Sequence, residues 1–202
     1  MMRKRTLVPL LLLLAALPMC GGSSGEDITT APTTASSGGG APSVLRVNLT
    51  DKPAEEYLAV NVTIVAVRIH QSSDAGETEA GWSELPVTAA MPVDLLTLRN
   101  GVLYQLCQVQ LPAGHYQQVR LVLAPNSGAE PPFSQSVVTA DGVSHALEVP
   151  SGSIKIVHGF SVDAQQATVL TLDFDASQSV KKRGNGTYFM TPVVRPASST
   201  EG

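Results

Sequence analysis

Short runs in which every second residue is apolar fill the chain between residues 44 and 196. A period of two places alternate side chains on opposite faces of an extended strand, and the Gly, Pro, Asn and Asp residues between the runs are typical of turns. No long helical period competes with this pattern. The sequence therefore predicts an all-β domain, a sandwich or barrel of antiparallel sheets with at most one short helical turn.

One run assigns its residues clearly to two faces. Val119, Leu121 and Leu123 alternate with Gln118 and Arg120. We expect the three apolar residues to be buried together, with Gln118 and Arg120 facing outward, because one face of such a strand is normally solvated.

A second run of this kind ends in acidic residues. Leu170, Leu172 and Phe174 alternate with polar residues that include Asp173, and Asp175 follows. The apolar set is expected in the core. The same alternation predicts that Asp173 and Asp175 share the outward face, with their carboxylates ~6.5–7 Å apart along a strand that rises ~3.3 Å per residue.

Two local signals interrupt the alternation. The apolar phase slips by one residue between Ile64 and Val65, which predicts a β-bulge or a strand that passes between sheets. Asp94 precedes a short apolar stretch that leads to Gly101, a pattern typical of a capped helical turn.

The segment containing Pro112, Gly114 and Tyr116 favours a sandwich over a barrel. It is similar to a tyrosine corner, in which a turn delivers a Tyr whose hydroxyl bonds to nearby backbone. The alternative is an ordinary Pro-Gly turn followed by a strand aromatic. Both interpretations indicate an antiparallel β-sandwich.

The first nineteen residues form a predicted signal peptide, residues 1–19. Arg3, Lys4 and Arg5 precede an apolar run from Leu7 to Leu17 that is too short to span a bilayer, which takes ~20 apolar residues. The run leads into Leu17-Pro18-Met19-Cys20-Gly21-Gly22, which resembles a bacterial lipobox. We therefore expect Cys20 to carry a lipid anchor, or, in the alternative, an ordinary cleaved signal with Cys20 merely nearby.

The remaining chain divides by composition into three parts. Residues 20–43, which begin at the lipid-anchor Cys20, are mostly Gly, Ser, Thr, Ala and Pro, and predict a flexible linker. Residues 44–196 have the size and patterning of one domain, the predicted β-sandwich. Residues 197–202 are predicted to be a disordered tail.

Charge argues against nucleic acid as a partner. Without the basic residues of the signal segment, 10 Lys and Arg oppose 17 Asp and Glu, a net charge of −7. Phosphate backbones require clustered basic residues. The basic run at residues 181–183 precedes Gly184-Asn185-Gly186, so it is predicted to be a solvated hairpin tip.

Several segments together resemble a known family, the prokaryotic domain of unknown function 4382. In order along residues 44–195 they are Leu49-Thr50-Asp51-Lys52-Pro53, Val60-Asn61-Val62-Thr63, Val93-Asp94-Leu95-Leu96, Leu111-Pro112-Ala113-Gly114-His115-Tyr116-Gln117-Gln118-Val119-Arg120-Leu121, Leu170-Thr171-Leu172-Asp173-Phe174-Asp175 and Pro192-Val193-Val194-Arg195. Lys52 stands where Ala is more usual, and residues 125–135 look like an insertion. The resemblance implies an envelope lipoprotein with an immunoglobulin-like or transthyretin-like sandwich. It implies no reaction and supplies no catalytic residues.

Candidate catalytic residues are sparse. The four histidines, His70, His115, His145 and His158, have no metal-ligand spacing, and His145 and His158 are expected to be hydrogen-bonded at the edge of the core. Cys107 alternates with apolar residues and has no adjacent cationic residue that would activate its thiol. It is predicted to be a buried structural residue.

Asp51, Asp173 and Asp175 are the one group of residues for which the sequence suggests a chemical role. They are the candidate ligands of a calcium site, although calcium takes about 6–8 oxygens. The spacing of Asp173 and Asp175 also suits an inverting glycosidase, but only 4% of the residues are aromatic. The third interpretation is structural, with the carboxylates accepting bonds from loop backbone or from Arg195.

These patterns favour a lipid-anchored module of the cell envelope with a non-enzymatic binding, adhesion or structural role and no required cofactor. Its expected partners are the membrane, through the anchor, and an envelope protein or glycan. Gly21 after Cys20 predicts delivery to the outer membrane. The alternatives are a calcium-stabilised adhesion or carbohydrate-binding module and a hydrolase that uses Asp173 and Asp175.

Overall fold

A computed structural model describes residues 43–52 and 56–201. In chain order the strands are β1 (Ser43–Asp51), β2 (Ala59–His70), β3 (Ser83–Pro86), β4 (Pro92–Asp94), β5 (Tyr104–Leu111), β6 (Gly114–Leu123), β7 (Ser136–Val138), β8 (Ser144–Glu148), β9 (Ser153–Val162), β10 (Ala167–Phe174), β11 (Val180–Lys182), β12 (Tyr188–Met190) and β13 (Val194–Glu201). A 3-10 turn at Leu95–Leu98 and the helix α1 at Ala176–Ser179 accompany them. No helix among the described residues has the length and hydropathy that crossing a bilayer requires.

The strands form two sheets, so the predicted all-β sandwich is confirmed. The first sheet has the order β13-β10-β1-β5, and the second has the order β11-β12-β8-β7-β2-β6-β9, with β3 and β4 also paired to β2. Pairing is antiparallel except where β1 lies beside β10 and β8 beside β12. Those two parallel pairs differ from the predicted antiparallel sheets, and each joins strands that are far apart in the chain.

One continuous hydrophobic core contains side chains from both sheets. Val119, Leu121 and Leu123 of β6 are buried together, as predicted. Leu170, Leu172 and Phe174 of β10 are also buried, at 1% exposure or less. Burial of a Leu or Phe side chain stabilises a fold by about 1.5–3 kcal/mol, so each of these side chains contributes substantially to the core.

The two predicted interruptions of the pattern are present. Ile64 of β2 pairs with Leu123, but the next pair in β2 is Ala66 with Val122, so Val65 is the extra residue of a bulge. The Asp94 carboxylate accepts a hydrogen bond from the Leu96 backbone N–H at 3.1 Å and thereby caps the 3-10 turn. Gly101 follows that turn with φ 83°, in the left-handed region that glycine tolerates.

The tyrosine corner is also present. The Tyr116 hydroxyl donates to the Pro112 carbonyl oxygen at 3.0 Å, and the Tyr116 ring stacks on Phe160 with centroids 5.7 Å apart. The corner fixes the turn from β5 into β6, because it joins the end of one strand to a buried side chain of the next.

Gln118 and Arg120 are buried at 0% and 8% exposure, so the prediction that they face outward is wrong. The cause is a strap, residues 71–82 between β2 and β3, that covers this face of the sheet. The Ala75 carbonyl oxygen in the strap accepts hydrogen bonds from Gln118 Nε2 and from an Arg120 terminal nitrogen, both at 3.0 Å. The strap supplies acceptors to polar side chains that solvent would otherwise hydrate.

The strap is held closely to β2 near its end. His70 Nε2, at the end of β2, lies 3.0 Å from the Ala80 carbonyl oxygen of the strap. Within the strap, Trp82 Nε1 donates to the Gly76 carbonyl oxygen at 2.8 Å and fixes its shape. Gly81 has φ 97°, and a Cβ there would lie 2.9 Å from His70 Nε2. A residue larger than glycine at this position would therefore be strained at this φ and would displace the His70 ring or the strap.

Two short segments differ from the sequence predictions. Residues 197–202 were predicted to be a disordered tail, but β13 extends to Glu201 and pairs along its length with β10. The helix α1 is a second helical turn where at most one was predicted. Its first residue follows Asp175, whose side chain caps it, so the acidic end of the β10 pattern starts a helix instead of continuing the strand.

Candidate functional site

Asp51 and Asp175 meet at one end of the first sheet because β1 and β10 run parallel and place Asp51 beside Phe174. Asp51 Oδ1 accepts from the Ala176 backbone N–H at 2.9 Å. Asp175 does not share an outward face with Asp173: it is 4% exposed and caps α1 by accepting from the Gln178 N–H at 3.1 Å. The structural interpretation of these two carboxylates therefore has direct support.

The Asp175 carboxylate has further partners. Ser177 Oγ donates to Oδ1 at 2.8 Å, and Gln178 Nε2 donates to Oδ2 at 2.7 Å. Lys52 Nζ lies 3.8 Å from Oδ2. Both carboxylate oxygens thus have donors from the chain, and Arg195 lies opposite Asp173 in the register of β10 and β13.

Asp51 is held in an unusual electrostatic environment. Its pKa is raised to about 7, chiefly by burial and also by the nearby charges of Asp175, Asp173 and Asp94, against the lowering effect of the hydrogen bond from the Ala176 N–H. Burial and the Asp175 charge also raise the pKa of Asp173. Asp51 Oδ2 is buried without a hydrogen-bond partner. A protonated Asp51 relieves the repulsion between these acidic groups.

The calcium hypothesis finds little support in this geometry. In residues 43–52 and 56–201, no group of three or more His, Cys, Asp or Glu side chains is placed to hold a metal ion. Asp51 Oδ1 and both Asp175 oxygens already accept hydrogen bonds from the chain. A hard cation would have to displace those donors before it reached six oxygen ligands.

Cys107 and the two histidines that were assigned to the core edge lie in different environments. Cys107 is 1% exposed, and burial raises the pKa of its thiol to about 11, so it is protonated at neutral pH and unreactive. His145 Nε2 lies 3.3 Å from Thr139 Oγ1, and its ring is 5.0 Å from the Tyr188 ring. His158 is half-buried, as predicted for the core edge, but its Nε2 is buried without a hydrogen-bond partner.

A cleft of about 600 Å³ lies where the end of β6, strand β8 and the β11–β12 hairpin meet. Its apolar lining consists of Leu123, Ala124, Pro125, Ala146, Leu147, Val149 and Pro150. Its polar lining consists of Asn126, Gln135, Glu148, Arg183, Asn185, Thr187 and Tyr188. The volume is in the range of small-molecule sites, which are mostly apolar with a few polar groups.

The loop between β6 and β7 forms one wall of this cleft and is held by two amides. Asn126 Nδ2 donates to the carbonyl oxygens of Gln135 at 3.0 Å and Leu147 at 3.3 Å, while its Oδ1 accepts from the Gln135 N–H at 2.7 Å. Gln135 Oε1 accepts from the Thr63 N–H at 2.8 Å, and its Nε2 donates to the Ala124 carbonyl oxygen. The wall is therefore preformed, since its amides are bonded to backbone on three strands or strand ends.

The hairpin predicted at residues 181–186 forms the opposite rim. Arg183 makes an ion pair with Glu148 of β8, and its guanidinium lies 4.6 Å from the Phe189 ring centroid. The hydrogen bond from Arg183 lowers the pKa of Glu148 and raises that of Arg183. Asn185 Oδ1 accepts from the Thr187 hydroxyl at 2.8 Å and orders the tip.

Sequence reasoning did not identify this cleft. The insertion at residues 125–135 and the basic hairpin tip were both recognised, but as unrelated surface features. Only the parallel pairing of β8 with β12, which joins Leu147 to Tyr188 and Glu148 to Phe189, brings them together. The Pro-rich composition of the insertion was the one available signal.

The fold and the cleft define a two-sheet β-sandwich whose second sheet carries a preformed ligand-sized site. Residues 43–192 match the family described as Domain of unknown function (DUF4382). The chain belongs to this family. Comparison with curated proteins and with solved structures gave no match.

Proposed function

We propose that this protein is a lipid-anchored cell-envelope module that binds a small, largely apolar ligand in the cleft without chemically changing it. The observation that carries the proposal is the preformed cleft of about 600 Å³ with an apolar floor and a polar rim. Sites of this size and composition bind ligands chiefly through apolar burial and use a few polar groups to orient them.

The rim groups support binding better than catalysis. Glu148 and Arg183 satisfy each other in an ion pair, and the lowered pKa of Glu148 keeps it ionised at neutral pH. A general acid needs a pKa near the working pH. Asn126 and Gln135 are bonded to backbone and act as supports of the wall.

The lining also favours an apolar ligand over a glycan. Sugar sites usually present an open aromatic face, but Tyr188 is only 4% exposed. Its ring packs edge-on against Tyr57, with centroids 6.3 Å apart, and against His145. Leu123, Pro125 and the other apolar residues of the floor instead suit aliphatic surface.

Nile red, a neutral apolar dye, tests the cleft directly. We expect it to brighten on binding the full-length chain, and Ala146→Phe, which fills the cleft from its β8 wall, should weaken binding at least tenfold. Ala113→Phe, on the exposed β5–β6 turn, is the matched control and should bind like the parent. Equal binding by the two variants, or none by the parent, would reject the cleft as the site.

The anchor at Cys20 is the second part of the proposal. It falls outside the described residues and rests on the basic segment, the short apolar run and the lipobox-like sequence. A thioether-linked diacylglycerol with a further amide-linked chain would hold the protein stably, because two or more acyl chains are needed for lasting attachment.

Cys20→Ser is expected to release the protein from the membrane fraction, and the parent chain should show the mass of a lipid-modified Cys20 at its new N-terminus. Fractionation of the parent should place it with the outer membrane. A parent chain of unmodified mass, or a Cys20→Ser protein that stays with membranes after its signal segment is cleaved, would contradict lipidation.

A further inference from the structure

Three basic residues lie in one row across the second sheet. Arg68 of β2 is directly opposite Arg120 of β6, and Arg120 is directly opposite Lys155 of β9. Like charges at directly opposed positions destabilise a sheet. A row of three in a chain whose net charge is negative therefore requires compensation by anionic groups.

The anionic compensation that the described residues supply is weak. Glu84 lies 3.8 Å from Arg68 Nε, and Glu77 lies 3.9 Å from an Arg120 terminal nitrogen. The Glu side chains are 68% and 61% exposed, so solvent screens both pairs. Ion pairs that solvent screens in this way contribute at most about 1 kcal/mol.

Arg120 is the most confined member of the row. It is 8% exposed, and its Nε is buried with no hydrogen-bond partner. One terminal nitrogen donates to the Ala75 carbonyl oxygen, and the guanidinium lies 4.9 Å from the Trp82 ring centroid. A buried guanidinium is costly unless its donors meet acceptors, so Arg120 retains unused capacity for an anion.

A concavity of about 340 Å³ opens beside this guanidinium. Its lining consists of Glu77, Arg120, Ser151, Ser153, Lys155 and Pro192. Two cations and two serine residues thus converge on one small space, opposed by a single carboxylate that is largely in solvent. Lys is suited to phosphate as a compact point charge, and serine hydroxyls are common phosphate contacts. The Ser151 hydroxyl already donates to the Ser153 carbonyl oxygen, so Arg120, Lys155 and the Ser153 hydroxyl are the donors that this space offers to an anion.

We propose that this concavity, the Arg120–Lys155 pocket, binds a phosphate-type oxyanion. The pocket is distinct from the apolar cleft, with which it shares no lining residue, so it does not rest on the proposed function. The bound oxygens would accept from Arg120 and Lys155 and offset the repulsion along the row. The phosphate belongs to a free ester or to a lipid headgroup, since both present the same chemistry.

Trp82 is the single tryptophan of the chain and contacts the guanidinium of Arg120, so its fluorescence reports on the pocket. Inorganic phosphate added to the purified full-length chain should change Trp82 emission saturably and raise the melting temperature, because a ligand that binds the folded state stabilises it. Sodium chloride at equal ionic strength should not reproduce this.

Variants make the test specific. Lys155→Gln should weaken binding at least tenfold, whereas Lys155→Arg should retain it, and Glu77→Gln should tighten it because it removes the opposing charge. Lys181→Gln, an exposed lysine on the hairpin, is the matched control and should behave like the parent. Identical phosphate responses of the parent and Lys155→Gln, in both emission and melting, would overturn the proposal.

A second experiment distinguishes the two sources of the phosphate group, a free ester and a lipid headgroup. Dihexanoyl phosphatidic acid, used below its micelle concentration, presents the same phosphate on a lipid headgroup. Binding at least tenfold tighter than inorganic phosphate would identify a headgroup as the ligand. Binding that is equal or weaker would identify free phosphate esters, and the absence of binding by either compound would reject the pocket as a phosphate site.

Discussion

Replacing Asp51 with Asn is expected to raise the free energy of unfolding at pH 8 by about 2–4 kcal/mol. The pKa of Asp51 is raised to about 7 by burial and by the surrounding carboxylates. Each unit of pKa shift corresponds to about 1.4 kcal/mol between the two protonation states. Asn keeps an Oδ1 that accepts from the Ala176 N–H, but carries no charge to repel Asp173 and Asp175.

The direction of the Asp51 pKa shift determines how the stability difference between parent and Asp51→Asn changes with pH. The pKa of Asp51 is higher in the folded state than its ordinary value of 3.8, so the folded state gains stability from the proton. That contribution is fully present below pH 4 and is lost as the pH rises through about 7. Parent and Asp51→Asn should therefore differ most at pH 8 and least near pH 4.

Urea unfolding at pH 5 and pH 8 measures this difference. Asp163→Asn, which changes an exposed carboxylate, is the control and should shift stability by less than about 0.5 kcal/mol at either pH. A variant less stable than the parent at pH 8 would show that the ionised Asp51 has a favourable partner. If added calcium then stabilised the parent alone, the calcium hypothesis would replace the structural one.

Asn126→Ala is expected to lower the free energy of unfolding by about 2–4 kcal/mol and to abolish Nile red binding. The side chain makes three hydrogen bonds to backbone, and its removal deprives the Gln135 N–H and the Leu147 carbonyl group of their Asn126 partner. The Gln135 carbonyl oxygen also loses a donor but keeps its bond from the Leu147 N–H. An unpartnered buried polar group costs about 1–3 kcal/mol, and relaxation of the loop recovers part of the sum.

Asn185→Ala provides the comparison for this variant. Asn185 lines the same cleft, but its Oδ1 accepts from Thr187 at the exposed hairpin tip. Its loss should cost less than about 1 kcal/mol and leave dye binding within threefold of the parent. If both variants lost equal stability, the wall would not depend on the Asn126 bonds.

The strand pattern was predictable because burial follows a local period. Alternation placed Leu121 and Leu172 in the core, and a slip in the same alternation located the bulge at Val65. The tyrosine corner was predictable for a related reason. Tyr116 and its acceptor Pro112 lie four residues apart, so one short segment of sequence contains both partners of the hydrogen bond.

The wrong sequence predictions concern residues whose surroundings are formed by segments far away in the chain. Gln118 and Arg120 looked solvated because nothing in β6 indicates that a strap from another part of the chain covers them. Asp175 was assigned to a strand face because the pattern of β10 continues through it, although its carboxylate caps α1. The candidate cleft depends on the parallel pairing of β8 and β12, which leaves no local sequence signal.

The position of β1 determines how the domain responds to a mechanical pull. β1 starts at Ser43, lies inside its sheet, and pairs with β10 from Val44 to Asp51 and with β5 on its other side. Consider a force that is applied at Ser43 and directed along the axis of β1. It therefore shears two rows of backbone hydrogen bonds together, whereas an edge strand peeled from its end would lose them one at a time.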